Sequence, residues 1–480
     1  MLNLLPQSGL PTGKLGKICD KFRSFYSRNQ LNWDLENLKG RIFTPKFRLL
    51  IIMSLLSLVL PLTKQEKVES VDNLQIEASV NSGLQPLKTL ESLRNNQPLK
   101  DNQESEQSIT MAKADTKQVF GFAPYWTFDK LENIDFNTLT TLAYFDVEVS
   151  VTGDLVRSGP GYQTFISDRA TELFKKAHAH GTRVVLTVTQ MQNRSILAML
   201  DNEDAQRNAI TQIVDEVQRR GIDGVNVDLE YSGNPGVYYR HQFNRFVENL
   251  TAEMHRANPD AKVTVSVYAI SAKEANLYDI AALGRISDGI FMMAYDFTSA
   301  NSDVAMPTAP LYGHKEGRYW YDVSTAVEDF LAKAPAEKLI LGVPWYGMNF
   351  PVSRPEPNAS TLVNWGWRGV NQTYGIVENN ITPNNPGLTN FITGWDEVSQ
   401  VGWKAYYAVR NGTWRMIFSE DSRSFGAKID FAKSKNLAGV GMWALGFEDG
   451  RTELWDLLRE KFGSKLADAS IQEKPIYAVN

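Results

Sequence analysis

The chain has 480 residues, 43% of them apolar and 22% charged, so it can bury a large core and is neither collagen-like, coiled-coil nor wholly disordered. A formal charge of −5, from 50 basic and 55 acidic residues, lacks the positive footprint of a nucleic-acid-binding protein. The single cysteine, Cys19, excludes an intramolecular disulfide framework and any zinc or iron–sulfur site built from several cysteines.

The first 62 residues form a basic segment followed by an apolar run, 49–62, which reads LLIIMSLLSLVLPL. This run is shorter than the roughly 20 apolar residues that a membrane-spanning helix needs, and it matches the apolar part of a secretory signal. We therefore expect an exported protein, extracellular, periplasmic or in the cell envelope, with membrane contact only through this segment. An uncleaved anchor with its basic end inside and a buried core helix are the two alternatives.

Residues 63–118 are rich in Gln, Glu, Asn, Ser and Lys and contain no aromatic residue, which is typical of a disordered polar linker. Ten of the eleven tryptophans follow this segment. We therefore predict a folded domain over residues 119–460 and a polar tail over residues 461–480.

Short apolar runs alternate with helix-period segments throughout this domain. One helical segment ends at Gly181, a second ends at Gly221, and a third begins at His241. Eight apolar strands separated by helices favour an α/β fold in which the strands are parallel and close into a (β/α)₈ TIM barrel. The predicted strands are 119–124, 139–149, 183–189, 223–230, 262–270, 288–295, 339–345 and 439–445.

One interval interrupts the alternation after strand seven. Residues 346–415 are rich in Asn, Gly, Pro and Trp, and we predict that they form a small α+β insertion domain. Five tryptophans in this interval are expected to pack within the insertion rather than bind a ligand: Trp365, Trp367, Trp395, Trp403 and Trp414.

Strand four carries the chemistry. It reads DGVNVDLE over residues 223–230, so Asn226, Asp228 and Glu230 occupy alternate positions and share one face of the strand. At about 3.3 Å per residue, the two acids stand roughly 6.6 Å apart, with Glu230 nearest the C-terminal mouth of the barrel. Burying an unpaired carboxylate is expensive, and mutual repulsion raises one pKa, as a general acid near neutral pH requires. The alternatives are a structural hydrogen-bond network and a divalent-metal site, for which the histidines are not spaced as ligands.

These residues resemble the DGxDxDxE signature of family-18 glycoside hydrolases, the chitinase and endo-β-N-acetylglucosaminidase family. Two further segments are similar to family motifs: 293–296, MAYD, resembles MxYD, and 342–347, GVPWYG, resembles GxPxYG. Trp443 stands where the family has the tryptophan that floors the catalytic subsite. The resemblance covers residues 119–460 and implies a barrel with an insertion after strand seven.

The resemblance also implies roles. Glu230 is the general acid and base, and the substrate's own 2-acetamido oxygen replaces an enzyme nucleophile, with net retention of configuration. Asp228 accepts the acetamido N–H and stabilises the oxazolinium charge, while Tyr295 and Asp296 bind and orient the acetamido group. The expected sugar-binding residues are Trp443, Met293, Asn226, Tyr346 and Trp126. No metal or cofactor is expected.

Two departures from the family pattern stand out. Asn226 replaces the usual Asp; this removes a like charge from beside Asp228, lowering its pKa relative to an Asp-bearing chain, and leaves an amide that can hydrogen-bond Asp228. Strand three ends in residues 188–193, VTQMQN, instead of SxGG, which changes the substrate contacts expected there.

Aromatic residues at strand ends supply further candidates. Trp126 and Trp345 lie where the mouth is predicted, either stacking on sugar rings or packing in the rim. Tyr125, Tyr144 and Asp146 are weaker candidates near strand ends.

The leading hypothesis is therefore a retaining glycosidase, chitinase-like and monomeric, that cleaves β-1,4-linked N-acetylglucosamine polysaccharide of the chitin or peptidoglycan type. A catalytically silent chitin-binding or other carbohydrate-binding module on the same fold is the alternative, because Asn226 and the altered strand three depart from the family. A cell-surface scaffold is the third.

Overall fold

The computed structural model describes residues 117–463, and the predicted signal or anchor and nearly all of the predicted linker lie outside that range. Eight strands form a closed barrel in the order β1-β13-β7-β6-β5-β4-β3-β2, and every neighbouring pair is parallel. The predicted (β/α)₈ barrel is confirmed. Its strands are β1 Gln118–Pro124, β2 Thr141–Glu148, β3 Arg183–Gln190, β4 Gly224–Leu229, β5 Lys262–Tyr268, β6 Gly289–Met293, β7 Leu339–Pro344 and β13 Gly439–Trp443.

Helices follow most of the strands and cover the outside of the barrel. The two helices predicted to stop at glycine do so: Gly181 and Gly221 adopt φ values of 66° and 61°, which glycine reaches without strain. The helix predicted to begin at His241 begins earlier, at Val237, after Gly236. The α-helices are α1 Pro160–Phe165, α2 Asp168–Ala179, α3 Asn193–Leu200, α4 Glu203–Arg220, α5 Val237–Ala257, α6 Ile280–Ile286, α7 Val323–Leu331, α8 Tyr374–Asn380, α9 Ser422–Ser434 and α10 Glu453–Phe462.

Aromatic side chains fill the lower part of the barrel lumen. The Phe291 ring lies 4.8 Å from the Phe122 ring between centroids and 5.4 Å from that of Phe120. A Cβ atom at Gly441 would lie 2.4 Å from the Phe291 ring, and one at Gly342 would lie 2.7 Å from it. The two glycines therefore leave the space that this ring occupies, and the lumen is a packed core rather than a pore.

The insertion is an antiparallel sheet in the order β10-β11-β12-β8-β9, joined by helix α8. It has its own apolar core, which includes Met348, Phe350 and Phe418. The sheet continues to Ser419, past the predicted end of the insertion at residue 415. Its strands are β8 Tyr346–Val352, β9 Val370–Thr373, β10 Leu388–Asp396, β11 Val401–Ala408 and β12 Thr413–Ser419.

The tryptophans of the insertion differ in their surroundings. Trp403 and Trp414 pack against the insertion core, as predicted. Trp395 lies under the guanidinium of Arg423, at 3.7 Å from the ring centroid, in a cation–π contact. Trp365 is 81% exposed, so the packing prediction is wrong for this residue, which ends a short 3₁₀ turn at the surface.

A buried ion pair joins the end of the insertion sheet to helix α9. Lys428 Nζ lies 2.8 Å from Glu420 Oε1, and the two side chains are only 1% and 2% exposed. Burial raises the pKa of Glu420, and the ammonium of Lys428 opposes that rise. Each charge therefore depends on the other for compensation.

Replacing Lys428 with Met should lower the free energy of unfolding by about 3–5 kcal/mol, because Glu420 is left as a buried charge without its partner. The matched control is Lys461→Met, which breaks the exposed pair between Lys461 and Asp430 on neighbouring helices and should change stability by about 0–1 kcal/mol. Denaturant unfolding measures the free energy of unfolding of both variants. Equal losses would show that the buried pair stabilises the fold no more than the exposed pair does.

Candidate active site

Strand β4 turns its polar side chains into the barrel. Asn226 and Asp228 lie on alternate positions of the strand and are 0% and 3% exposed, and Glu230 follows the last strand residue at the C-terminal mouth. The backbone N–H of Glu230 donates to the Gln190 carbonyl at 2.9 Å, which extends the pairing between β3 and β4 to the site. The sequence-based placement of the three residues on one face is therefore what the structure shows.

Asn226 is bound to the neighbouring strand and not to Asp228. Its Nδ2 donates to Ser266 Oγ at 3.0 Å, and its Oδ1 accepts from Thr264 Oγ1 at 2.9 Å. The expectation that this amide hydrogen-bonds Asp228 is wrong, because two hydroxyls of β5 satisfy it. Asn226 therefore fixes β4 against β5 beneath the acids.

Asp228 is buried without a hydrogen-bond partner for its Oδ1 atom in residues 117–463. Burial raises the pKa of Asp228 well above its usual range, and the charges of Glu230 and Asp146 raise it further. The loss of a carboxyl at position 226 thus leaves Asp228 with a raised pKa all the same. A ligand group that donates a hydrogen bond to Oδ1 would relieve this arrangement.

Glu230 is held by a tyrosine of the next strand. The Tyr268 hydroxyl donates to Glu230 Oε2 at 2.9 Å. Burial raises the pKa of Glu230; the Tyr268 hydrogen bond lowers it and the charge of Asp296 raises it. Because Oε2 accepts this hydrogen bond, the proton of the neutral acid is placed on Oε1.

Tyr268 does not belong to the predicted site, although a signal for it exists. Thr264, Ser266 and Tyr268 alternate along β5 in the same way as the polar residues of β4. All three make side-chain hydrogen bonds to β4 or to Glu230. Polar alternation on any barrel strand, read without a motif, would have identified this tyrosine.

The segment after β6 supplies the other predicted polar groups. The Tyr346 hydroxyl donates to Asp296 Oδ1 at 2.6 Å, and the rings of Tyr295 and Tyr346 lie 6.2 Å apart between centroids. Burial, followed by the charges of Asp228, Asp296 and Glu230, raises the pKa of Tyr295 well above its usual range. Tyr295 therefore stays protonated as a hydrogen-bond donor beside the acids. Since Tyr346 begins β8, the insertion sheet starts within the site.

Aromatic rings form one wall of the mouth. Trp443 is half-buried at the end of β13, with its ring 4.7 Å from that of Phe145 and 6.4 Å from that of Trp126 between centroids. Trp126 is 38% exposed, and Met293 is half-buried at the end of β6. Rings that are partly covered on one side and open on the other suit contact with a flat apolar ligand face.

The structure decides between the two roles considered for Trp345 and shows how the altered end of strand three is arranged at Gln190. Trp345 is completely buried outside the mouth, 5.3 Å from Trp455 between centroids, so its stacking role is excluded and its packing role holds. Gln190, in the altered end of strand three, folds back: its Nε2 donates to the Val149 carbonyl at 2.7 Å, and its Oε1 accepts from the Gln192 N–H at 3.0 Å.

Within residues 117–463, no group of three or more His, Cys, Asp and Glu side chains is placed to hold a metal ion. In the same part of the chain, every helix is too short or too polar to cross a membrane.

Comparison with known families agrees with this geometry. Residues 101–448 match the model of "Glycosyl hydrolases family 18". The chain belongs to this family. The resemblance inferred from the three sequence segments and Trp443 is therefore confirmed.

The curated relatives that the chain matches are distant. The chain is 23% identical over 309 residues to the cortical fragment-lytic enzyme of Bacillus subtilis, covering 62% of this chain and 64% of the relative. It is 27% identical over 246 residues to chitotriosidase-1 of Mus musculus, covering 48% of this chain and 51% of the relative. The chain thus spans less than two thirds of the length of either protein.

Solved structures share the fold of this chain. A group IV chitinase from Ostrinia furnacalis in complex with allosamidin has a TM-score of 0.61 at 21% identity, with 73% of this chain and 99% of that chain covered. The spore cortex-lytic enzyme SleL of Bacillus cereus has a TM-score of 0.56 at 18% identity, with 72% and 74% covered. At these identities the likeness establishes the barrel alone.

Asp228→Asn should stabilise the protein increasingly as pH rises. The raised pKa of Asp228 means that its contribution to stability is fully present below pH 3.8, its ordinary value, and is lost as pH rises through the folded-state pKa. Asn removes that loss. Melting temperatures of wild type and variant, measured from pH 3.5 to 8, should coincide at the acid end and diverge upward in favour of the variant. A gap of the opposite sign would contradict the burial of an unsatisfied carboxylate.

Proposed function

We propose that this family-18 chain is a retaining glycosidase that cleaves β-1,4-linked N-acetylglucosamine polysaccharide of the chitin or peptidoglycan type. The observation that carries the proposal is the pairing of Glu230, a half-buried acid with a raised pKa at the mouth, with the buried Asp228 one pleat below it. A carboxyl that keeps its proton near neutral pH is what protonation of a glycosidic oxygen requires.

Glu230 acts first as an acid. Its Oε1 proton passes to the glycosidic oxygen while Tyr268 holds Oε2. As the glycosidic bond breaks, the carbonyl oxygen of the substrate's 2-acetamido group bonds to the anomeric carbon and forms an oxazolinium ring, so the enzyme needs no nucleophile of its own. Glu230, now a carboxylate, takes a proton from water as that water opens the ring, which regenerates the acid and retains the configuration.

Asp228 and Tyr295 stabilise the oxazolinium ring as it forms. The positive charge that develops on the oxazolinium favours the ionised form of Asp228, whose unpartnered Oδ1 is available to the acetamido N–H. The protonated hydroxyl of Tyr295 is a donor for the acetamido oxygen. Asp296, fixed by Tyr346, orients the group from the other side.

The half-buried ring of Trp443 and the exposed ring of Trp126 support binding of a sugar face at the mouth. The names of the relatives, a chitotriosidase and a cortical fragment-lytic enzyme, support acetylated glucosamine polymers as the substrate class. Residues 49–62, outside the described range, support export, which would bring the protein to such polymers in the cell envelope or outside the cell.

A silent sugar-binding module is the second candidate, and two observations favour it. Asn226 is committed to β5, and Gln190 folds back where the family pattern predicts SxGG. Saturable binding of chitooligosaccharides without hydrolysis over days would establish this candidate instead.

Glu230→Gln tests the catalytic proposal. Hydrolysis of a chromogenic chitobioside or of purified peptidoglycan should fall by about 10²–10⁴-fold, because an amide cannot donate the proton. The matched control is Glu274→Gln, an exposed glutamate in the segment after β5, which should keep wild-type turnover. Equal rates for Glu230→Gln and wild type would remove Glu230 from the reaction.

Tyr268→Phe should move the basic limb of the kcat/KM profile to higher pH by about one unit, because the lost hydrogen bond had lowered the pKa of Glu230. The acid then stays protonated to higher pH. Tyr238→Phe, which removes a hydroxyl from an exposed tyrosine, is the control and should leave the limb in place. A basic limb that moves down or stays would show that Tyr268 does not tune the acid.

A further inference from the structure

The charge on Asp228 has to be controlled by groups other than its strand neighbour Asn226. The side-chain amide of Asn226 is hydrogen-bonded to Thr264 and Ser266. Asp228 Oδ1 has no hydrogen-bond partner among the described residues. The control must therefore come from a neighbouring strand or from Glu230. Strand β2 is the place to look, because Asp146 lies at its C-terminal end.

Asp146 occupies a β-bulge. Phe145 pairs with Thr187 of β3, but the next pair joins Val147 to Val188, so Asp146 is an extra residue without a partner in the ladder. In a regular strand Asp146 would face away from Phe145, whose ring lies on the lumen side against Trp443. The bulge re-aims it toward the lumen.

The re-aimed carboxyl reaches the acid pair through a threonine. Thr189 Oγ1 donates to Asp146 Oδ2, and Thr189 is the residue of β3 that pairs with Asp228 of β4. Residues paired in a parallel ladder point to the same face, so Asp146 and Asp228 flank one buried threonine. Thr189 is 2% exposed.

The first turn of helix α1 holds the bulge in place. A Cβ atom at Gly161 would lie 2.1 Å from the Asp146 carbonyl oxygen, so only glycine permits this approach. The Tyr144 hydroxyl of β2 donates to the Gly161 carbonyl at 2.6 Å and ties helix α1 to the strand. The position of Asp146 is thus built by several contacts rather than left to a mobile side chain.

We propose that Asp146 is a positioning residue that controls the ionisation of Asp228, by supplying from β2 a second carboxyl with which Asp228 shares one proton. This inference rests on the proposed function only for its kinetic readout. The two carboxyls come from β2 and β4, and the hydrogen bond from Thr189 fixes that of Asp146.

The surrounding charges favour one shared proton on the pair of Asp146 and Asp228. Burial raises the pKa of Asp146 to about 6; the Thr189 hydrogen bond opposes that rise, and the charge of Glu148 adds to it. Asp228 faces the charge of Glu230 first and that of Asp146 second, and both raise its pKa. The tyrosines around the two acids have raised pKa values and are neutral donors: Tyr125 and Tyr144 beside Asp146, and Tyr268, Tyr278 and Tyr295 beside Asp228. Below about pH 6 the pair therefore holds a proton.

Asp146→Asn removes the like charge, so Asp228 should ionise at lower pH. We expect the acid limb of the kcat/KM profile to move down by about one pH unit. Thr189→Val removes the hydrogen bond that lowers the pKa of Asp146, so it favours the protonated form of that residue. The acid limb should therefore move in the same direction, by a smaller shift. Glu132→Gln is the matched control, an exposed carboxylate in the segment after β1, and should leave the limb in place.

A second readout does not require turnover. In protein carrying ¹³C at the aspartate carboxyls, the signal missing from Asp228→Asn identifies Asp228, and its titration midpoint should fall by about one pH unit in Asp146→Asn. Melting curves check that each variant is folded. An unchanged midpoint in folded Asp146→Asn or Thr189→Val overturns the inference. If the wild type turns over no acetylated glycan, the proposed function fails and this titration still decides the role of Asp146.

Discussion

Neighbouring carboxyl groups in a barrel lumen repel one another and lose their hydration, so the site is organised around how many of them are ionised at once. Asp228 is buried with an unsatisfied oxygen, Glu230 lies one pleat above it, and Asp146 approaches from β2. A packed barrel without a ligand gains nothing from this arrangement. The same arrangement suits a ligand that brings a hydrogen-bond donor and a transient positive charge, as an acetamido sugar does in the proposed reaction.

Most of the fold follows from the sequence. Eight apolar strands separated by helical segments specify a parallel closed barrel, and glycines at 181 and 221 mark helix ends. The alternation of Asn226, Asp228 and Glu230 places these residues on one face, because the period of a strand is two. The residues after β6, Tyr295 and Asp296, come to the same mouth because all strand C-termini of such a barrel meet there.

The remainder depends on contacts that a linear pattern does not carry. The bulge in β2 reverses the facing of Asp146, and regular alternation assigns that residue to the outer face. The hydroxyls that bind Asn226 belong to β5, so its separation from Asp228 follows only from the packing of two strands. The exposure of a tryptophan also does not follow from the local sequence: Trp345 is 0% exposed and Trp365 is 81% exposed.

The central claim is that the substrate's acetamido group takes the place of an enzyme nucleophile beside Glu230. Proton NMR of the first minutes of chitooligosaccharide hydrolysis tests it, with an oligosaccharide deacetylated at the sugar on the non-reducing side of the cleaved bond as comparison. The account predicts that the newly formed reducing end appears first as the β-anomer and that the deacetylated substrate is not cleaved. Initial release of the α-anomer, or cleavage of both substrates at similar rates, would contradict it.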